Sequence, residues 1–156
     1  MRRKTEVEKE NQEFIKNYDD SKYAKPSVTT DMVVFGVFDG NESNYRKYSE
    51  KILKVLLVKR KSEPFKECYA LPGGFVRPNE TLTQAATREL KEETNLPCEF
   101  LEQFGTYSSP KRDPRGWVIS NGFLALVDAS QYHVQGGDDA AEAKWFDVLF
   151  REEKDG

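Results

Sequence analysis

Gly74-Phe75-Val76-Arg77-Pro78-Asn79-Glu80, followed after seven further residues by Arg88-Glu89-Leu90-Lys91-Glu92-Glu93-Thr94-Asn95-Leu96, is the stretch on which the reading of this chain turns. Its second half is helical by pattern. Leu82, Ala86 and Leu90 recur on one side, and Thr81 with Gln84 three residues on is a capping-box signature. At about 100° per residue, Glu89, Glu92 and Glu93 project within one arc of roughly 100°. Glu89 and Glu93 fall at the edge of the apolar side, while Gln84 and Lys91 point away from it. Three carboxylates this close repel one another unless one is protonated or a cation neutralises them, and oxygen-only donors favour magnesium or manganese over zinc. Glu is also a good helix former, so the acids alone are compatible with a solvated face. The spacing decides between these. With average residue usage, those identities at those intervals arise by chance in a chain this long roughly once in a million.

Working outward, Pro72-Gly73-Gly74 reads as a tight turn, because glycine reaches backbone angles closed to other residues. Residues 32–38 and 52–58 are runs of Val, Leu, Ile and Phe, the first bounded by Asp39, Gly40 and Asn41, and they predict two strands. The polar segment 41–51 between them reads as a hairpin connection. Residues 100–107, 117–127 and 143–148 predict further strands. Strands, one long helix and strands again predict an α/β (α+β) fold with a mixed sheet rather than regular βαβ winding. Residues 1–25 are polar and predict a short helix leading into Pro26; residues 26–150 form the domain, and residues 151–156 a polar tail.

The 156 residues carry 24 Lys plus Arg and 27 Asp plus Glu, a net charge of −3 that suits one domain and argues against coating nucleic acid or anionic lipid. The single histidine, His133, excludes a multi-His zinc site or a His pair, and no G-x-S-x-G elbow accompanies it. Cys68 and Cys98 lie far apart without C-x-x-C spacing, which excludes a zinc knuckle or disulfide framework and suits a reducing cytoplasm. Arg2, Arg3 and Lys4 precede no apolar h-region, and no stretch approaches the ~18 apolar residues of a membrane span. A soluble cytoplasmic protein is expected.

Residues 74–96 resemble the Nudix box, the signature of hydrolases that cut a nucleoside diphosphate linked to another group. Every charged position of the pattern is met. Asn95 stands where glycine is usual, and Asn is the next most tolerant residue for a left-handed cap. The resemblance implies a Nudix-like α/β/α sandwich. It implies that Glu89 and Glu93 bind Mg2+ or Mn2+ directly, that Glu92 binds a second ion or its waters, and that Gly73 offers its carbonyl to the same metal cluster. Arg88 would orient an acid and Glu80 brace the loop, completing a catalytic set of Glu80, Arg88, Glu92 and Glu93. Metal-activated water would attack phosphorus, with no covalent enzyme intermediate. The carboxylate that takes the proton stays open; Asp138, Asp139 and Glu142 are candidates outside the box, with a merely solvated loop as the alternative. The architecture normally places a helix after the final strand. Either the N-terminal segment covers that sheet face, or the sequence is a fragment that has lost a C-terminal helix or DNA-binding module.

Ser109-Pro110-Lys111-Arg112-Asp113-Pro114-Arg115, with Pro26-Ser27-Val28-Thr29 and Leu71-Pro72-Gly73-Gly74-Phe75-Val76, looks like the ADP-ribose pyrophosphatase branch of that family. A related branch contains regulators of NAD metabolism. The branch implies hydrolysis of ADP-ribose to AMP and ribose 5-phosphate, with Arg112, Arg115 and Arg60 expected to hold phosphate or ribose oxygens. Phe35, Tyr107 and Trp117 read as core or strand-surface packing. Two alternatives are a ligand-sensing domain that switches a DNA-binding module, and a pyrophosphatase that removes oxidised nucleotides. The complete acid set favours the hydrolase, since a sensor needs no metal-activated water. Such enzymes are often homodimers.

Overall fold

The computed structural model describes residues 2–40, 51–97, 100–129, 134, 136 and 140–150. Along the chain come α1 (Arg2–Lys16), β1 (Ser27–Asp39), β2 (Lys51–Arg60), β3 (Tyr69–Ala70), β4 (Gly73–Phe75), α2 (Leu82–Thr94), β5 (Glu102–Tyr107), β6 (Val118–Asp128) and β7 (Ala140–Asp147). The strands form one sheet in the order β3-β2-β1-β6-β5, with β4 alongside β1 and β7 alongside β2. β1 and β6 run parallel and the other pairs antiparallel, so the sheet is mixed, as the element order predicts.

Period-two alternation places the core. Met32 and Val34 of β1 stand level with Phe123 and Ala125 of β6, and all four are buried, together with Leu56 and Val58 of β2. Against this face α2 lays Ala86 and Leu90, and Leu96 closes the end of the cluster. Burying each of the larger side chains stabilises the fold by about 1.5–3 kcal/mol. The intervening β6 positions Leu124 and Leu126 stay exposed on the opposite face.

Three expectations change. Residues 73–75 form a strand rather than a tight turn: Gly73, Gly74 and Phe75 pair with Asp31, Thr30 and Thr29, a partner some forty positions earlier that local sequence cannot reveal. The N-terminal helix ends at Lys16, well before Pro26. From Glu6 onward α1 is exposed on every side, including Val7, Phe14 and Ile15, so it does not cover a sheet face. The 41–50 connection, Cys98, His133, Asp138, Asp139 and the 151–156 tail lie outside the described residues.

Candidate active site

Both ends of α2 are fixed by local chemistry. Thr81 caps it reciprocally, its hydroxyl accepting from the Gln84 amide at 3.2 Å while the Gln84 side chain accepts from the Thr81 amide at 2.8 Å. Asn95 takes the left-handed conformation at φ 57° and its N–H reaches the Lys91 carbonyl at 3.0 Å, which is the role glycine usually fills. Helix position and rotation are thereby set. Glu93 is buried, at 9% exposure, whereas the Glu89 and Glu92 side chains are 14% and 36% exposed.

The double glycine brings β4 against these acids. A Cβ on Gly73, whose φ is +153°, would lie 2.1 Å from the Thr30 carbonyl oxygen, and one on Gly74 would lie 2.6 Å from the Glu89 carboxylate. With neither present, the Gly73 N–H donates to Glu93 Oε2 at 2.8 Å. The contact between Gly73 and the acids is thus made by its amide.

Arg88 organises the remaining carboxylates. Its Nε donates to Glu80 Oε1 at 2.5 Å, its Nη1 to Glu89 Oε1 at 2.6 Å and Glu92 Oε2 at 3.1 Å, and its Nη2 to the Phe75 carbonyl and Glu80 Oε2. The Arg88 guanidinium, helped by the Arg77 amide, pulls the Glu80 carboxyl down to about 2, and Glu80 in return raises the Arg88 pKa. Arg77 makes a second approach to Glu92, with Nη2 3.2 Å from Oε2 and Nη1 3.5 Å from Oε1.

The acids supply oxygen donors only, which suits a hard divalent cation. Among the described residues, however, no three acids are gathered into a ligating cluster. The hydrogen bonds show why: Glu89 is turned to Arg88, Glu92 is shared between Arg88 and Arg77, and Glu93 is held by the Gly73 amide. The donor chemistry fits a magnesium-type ion, and admitting one requires these carboxylates to turn from their present partners.

A cavity of about 400 Å³ opens beside the helix and is lined by Arg60, Gly73, Gly74, Arg77, Glu89, Glu93 and Arg115 among others. Arg60 is anchored by Nε on the Pro64 carbonyl at 2.7 Å. Arg115 grips Asp113 with two hydrogen bonds, at 2.9 and 2.7 Å, and its guanidinium stands 5.0 Å above the Phe75 ring. That grip pulls the Asp113 carboxyl down to about 2. Arg112, grouped with Arg115 by the sequence, is exposed and does not line the cavity; it closes a turn from Ser109, with Lys111 at φ 62°, whereas Arg115 lies in the next turn, from Asp113 to Gly116.

Glu142 sits at the β2–β7 edge opposite Lys59, accepts from the Tyr69 hydroxyl at 3.0 Å and does not line this cavity. A larger cavity, about 690 Å³, runs along the 108–117 loop beside Trp117, which is 55% exposed and therefore not core. Its one acid, Asp113, is committed to Arg115, so the acidic chemistry belongs to the smaller cavity. Sequence reasoning passed over Phe75 and Arg77. Both fall in the five unspecified positions between Gly74 and Glu80, and the cation at 77 opposite a row of acids was the available signal.

The model of the NUDIX domain matches residues 29–149. The chain belongs to the NUDIX family. Over 99 residues it is 52% identical to an ADP-ribose pyrophosphatase of Methanocaldococcus jannaschii, covering 64% of this chain and 57% of the relative. Over 126 residues it is 36% identical to the ADPR responsive transcriptional repressor NtrR of Acinetobacter baylyi, covering 80% of this chain and 46% of the relative. This NUDIX chain thus spans about half the length of the curated relatives it matches. Among solved structures it superposes on the NUDIX domain of Shewanella oneidensis NrtR complexed with ADP ribose, with TM-score 0.71 and 30% identity, covering 87% of this chain and 82% of that one.

Proposed function

We propose that this NUDIX chain is a divalent-cation-dependent hydrolase that cuts the pyrophosphate of ADP-ribose into AMP and ribose 5-phosphate. The observation that carries this reading is the joint lining of one cavity by the helix acids Glu89 and Glu93 and by the guanidiniums of Arg60 and Arg115. A bound Mg2+ or Mn2+ would neutralise the diphosphate and lower the pKa of a coordinated water. Glu89 and Glu93 would hold it directly and Glu92 a second ion or its waters, with the Gly73 carbonyl as a further donor. Arg88, locked by Glu80, sets the angle at which Glu89 and Glu92 are presented. Arg60 and Arg115 bind diphosphate oxygens, and a box carboxylate, Glu92 or Glu93, takes the proton of the attacking water as a phosphorus–oxygen bond of the anhydride breaks. Arg112, outside the cavity, contributes long-range attraction for the anionic substrate.

The test is AMP formation from ADP-ribose with Mg2+, against NADH and 8-oxo-dGTP, in the wild type and Glu93→Gln. We expect ADP-ribose to be preferred and Glu93→Gln to lower kcat at least ~100-fold; near-normal turnover in that variant would refute the metal role of Glu93. The likeness to an ADPR responsive repressor and to an ADP ribose complex supports a second reading, a domain that binds ADP-ribose without cutting it. Tight binding of ADP-ribose with no AMP formed would favour that sensor. No helix among the described residues is long and apolar enough to cross a membrane, and we place the protein in the cytoplasm on its free, exposed Cys68.

A further inference from the structure

Around Arg88, three carboxylates (Glu80, Glu89 and Glu92) meet the guanidiniums of Arg88 and Arg77. The two cations are held very differently. Arg88 is 16% exposed and is fixed by five hydrogen bonds, whereas the Arg77 side chain is 59% exposed and, among the described residues, its guanidinium hydrogen-bonds to Glu92. The Arg77 backbone is nevertheless pinned, because its N–H donates to Glu80 Oε2 at 2.9 Å and Glu80 is itself clamped by Arg88. The result is a fixed stem bearing a guanidinium that is free to turn. The same residue lines the cavity that also receives Arg60 and Arg115.

We propose that Arg77 is a displaceable counter-cation: its guanidinium holds Glu92 while no divalent ion is bound, and turns into the cavity to bind the substrate diphosphate when the ion takes Glu92. This rests on the hydrolase reading above and deepens it by assigning a substrate-positioning residue outside the charged positions of the box. The physical basis is competition for one carboxylate. Arg77 reaches both oxygens of Glu92 from the exposed side, Oε2 being shared with Arg88, so its ion pair opposes a divalent cation at that carboxylate and is a cost that metal binding must overcome. Once released, the fork of Arg77 has only to rotate about its side-chain torsions to present two donors to phosphate oxygens.

The experiment measures Mn2+ affinity by electron paramagnetic resonance or calorimetry without substrate, and kcat and KM for ADP-ribose separately, in Arg77→Ala, Arg77→Lys and Arg115→Ala. Loss of an exposed ion pair should make Arg77→Ala bind Mn2+ about two- to fivefold more tightly than the wild type. Loss of a charge-assisted contact should raise its KM about tenfold with kcat nearly unchanged. Arg77→Lys, which keeps the charge and loses the fork, should retain wild-type Mn2+ affinity with an intermediate KM. Arg115→Ala, whose partner is Asp113, should raise KM without tightening Mn2+. Unchanged or weaker Mn2+ binding in Arg77→Ala overturns the proposal, as does equal tightening in Arg115→Ala, which would reduce the effect to net charge. The Mn2+ measurement needs no substrate, so it can fail while ADP-ribose turnover stands, and turnover can fail while it holds.

Discussion

The two helices are close in length, 15 residues for α1 and 13 for α2, and both are rich in Glu. They differ in what stands between the charges. α2 spaces Ala86 and Leu90 along one stripe, buries them on the sheet and is capped at its start by the Thr81 and Gln84 side chains and at its end by the Asn95 backbone. α1 offers Val7, Phe14 and Ile15 too far apart for a stripe, and all three remain exposed. Charge therefore has a different meaning in each. On α1 the acids face solvent from wherever they fall, while on α2 the buried stripe fixes the rotation and so decides which acids are driven toward β4 and which are turned away.

This contrast can be broken most strongly at Leu90. Leu90→Ala leaves a cavity under α2 and should cost about 2–5 kcal/mol by urea unfolding; a loss below 1 kcal/mol would mean that the stripe does not hold the helix. Next comes Glu80, whose carboxyl lies near 2 in the fold against an ordinary 4.5 because of Arg88 and the Arg77 amide. A depressed folded pKa contributes stability that is present above the unfolded value and lost as pH falls toward the folded one. The melting temperatures of wild type and Glu80→Gln should therefore differ by a constant amount above pH ~5 and converge between about 4.5 and 2. A gap that persists to pH 2 would assign the effect to something other than the ion pair. The smallest change is expected on α1, where Ile15→Ala should stay within about 0.5 kcal/mol of wild type by the same urea measurement.

What could be read from sequence divides along the same line. α2 was legible to its ends because its signals are local: a period of 3.6, a capping pair three residues apart, and an Asn suited to the left-handed cap. The buried strands were legible from their apolar runs. β4 was not, because two glycines read as a turn unless their partner Thr29–Asp31 is known, and that pairing is long-range. The parallel register of β1 with β6 was hidden for the same reason. Within the 109–117 loop, Arg112 and Arg115 are equivalent as letters; they fall in successive turns, 109–112 and 113–116, and only Arg115 is on the cavity wall. Arg77 was obscured because the box pattern leaves its position unspecified.

Gly74 faces the Glu89 carboxylate with room for a hydrogen atom and no more. That position works as a gauge block between the loop and the helix: a methyl group wedged in there must push the Glu89 carboxylate, the end of a flexible side chain, out of its present place. A library randomised at residue 74 and selected for turnover should be enriched in glycine, because any larger residue displaces Glu89, whereas the neighbouring Phe75, 45% exposed, leaves freedom to drift.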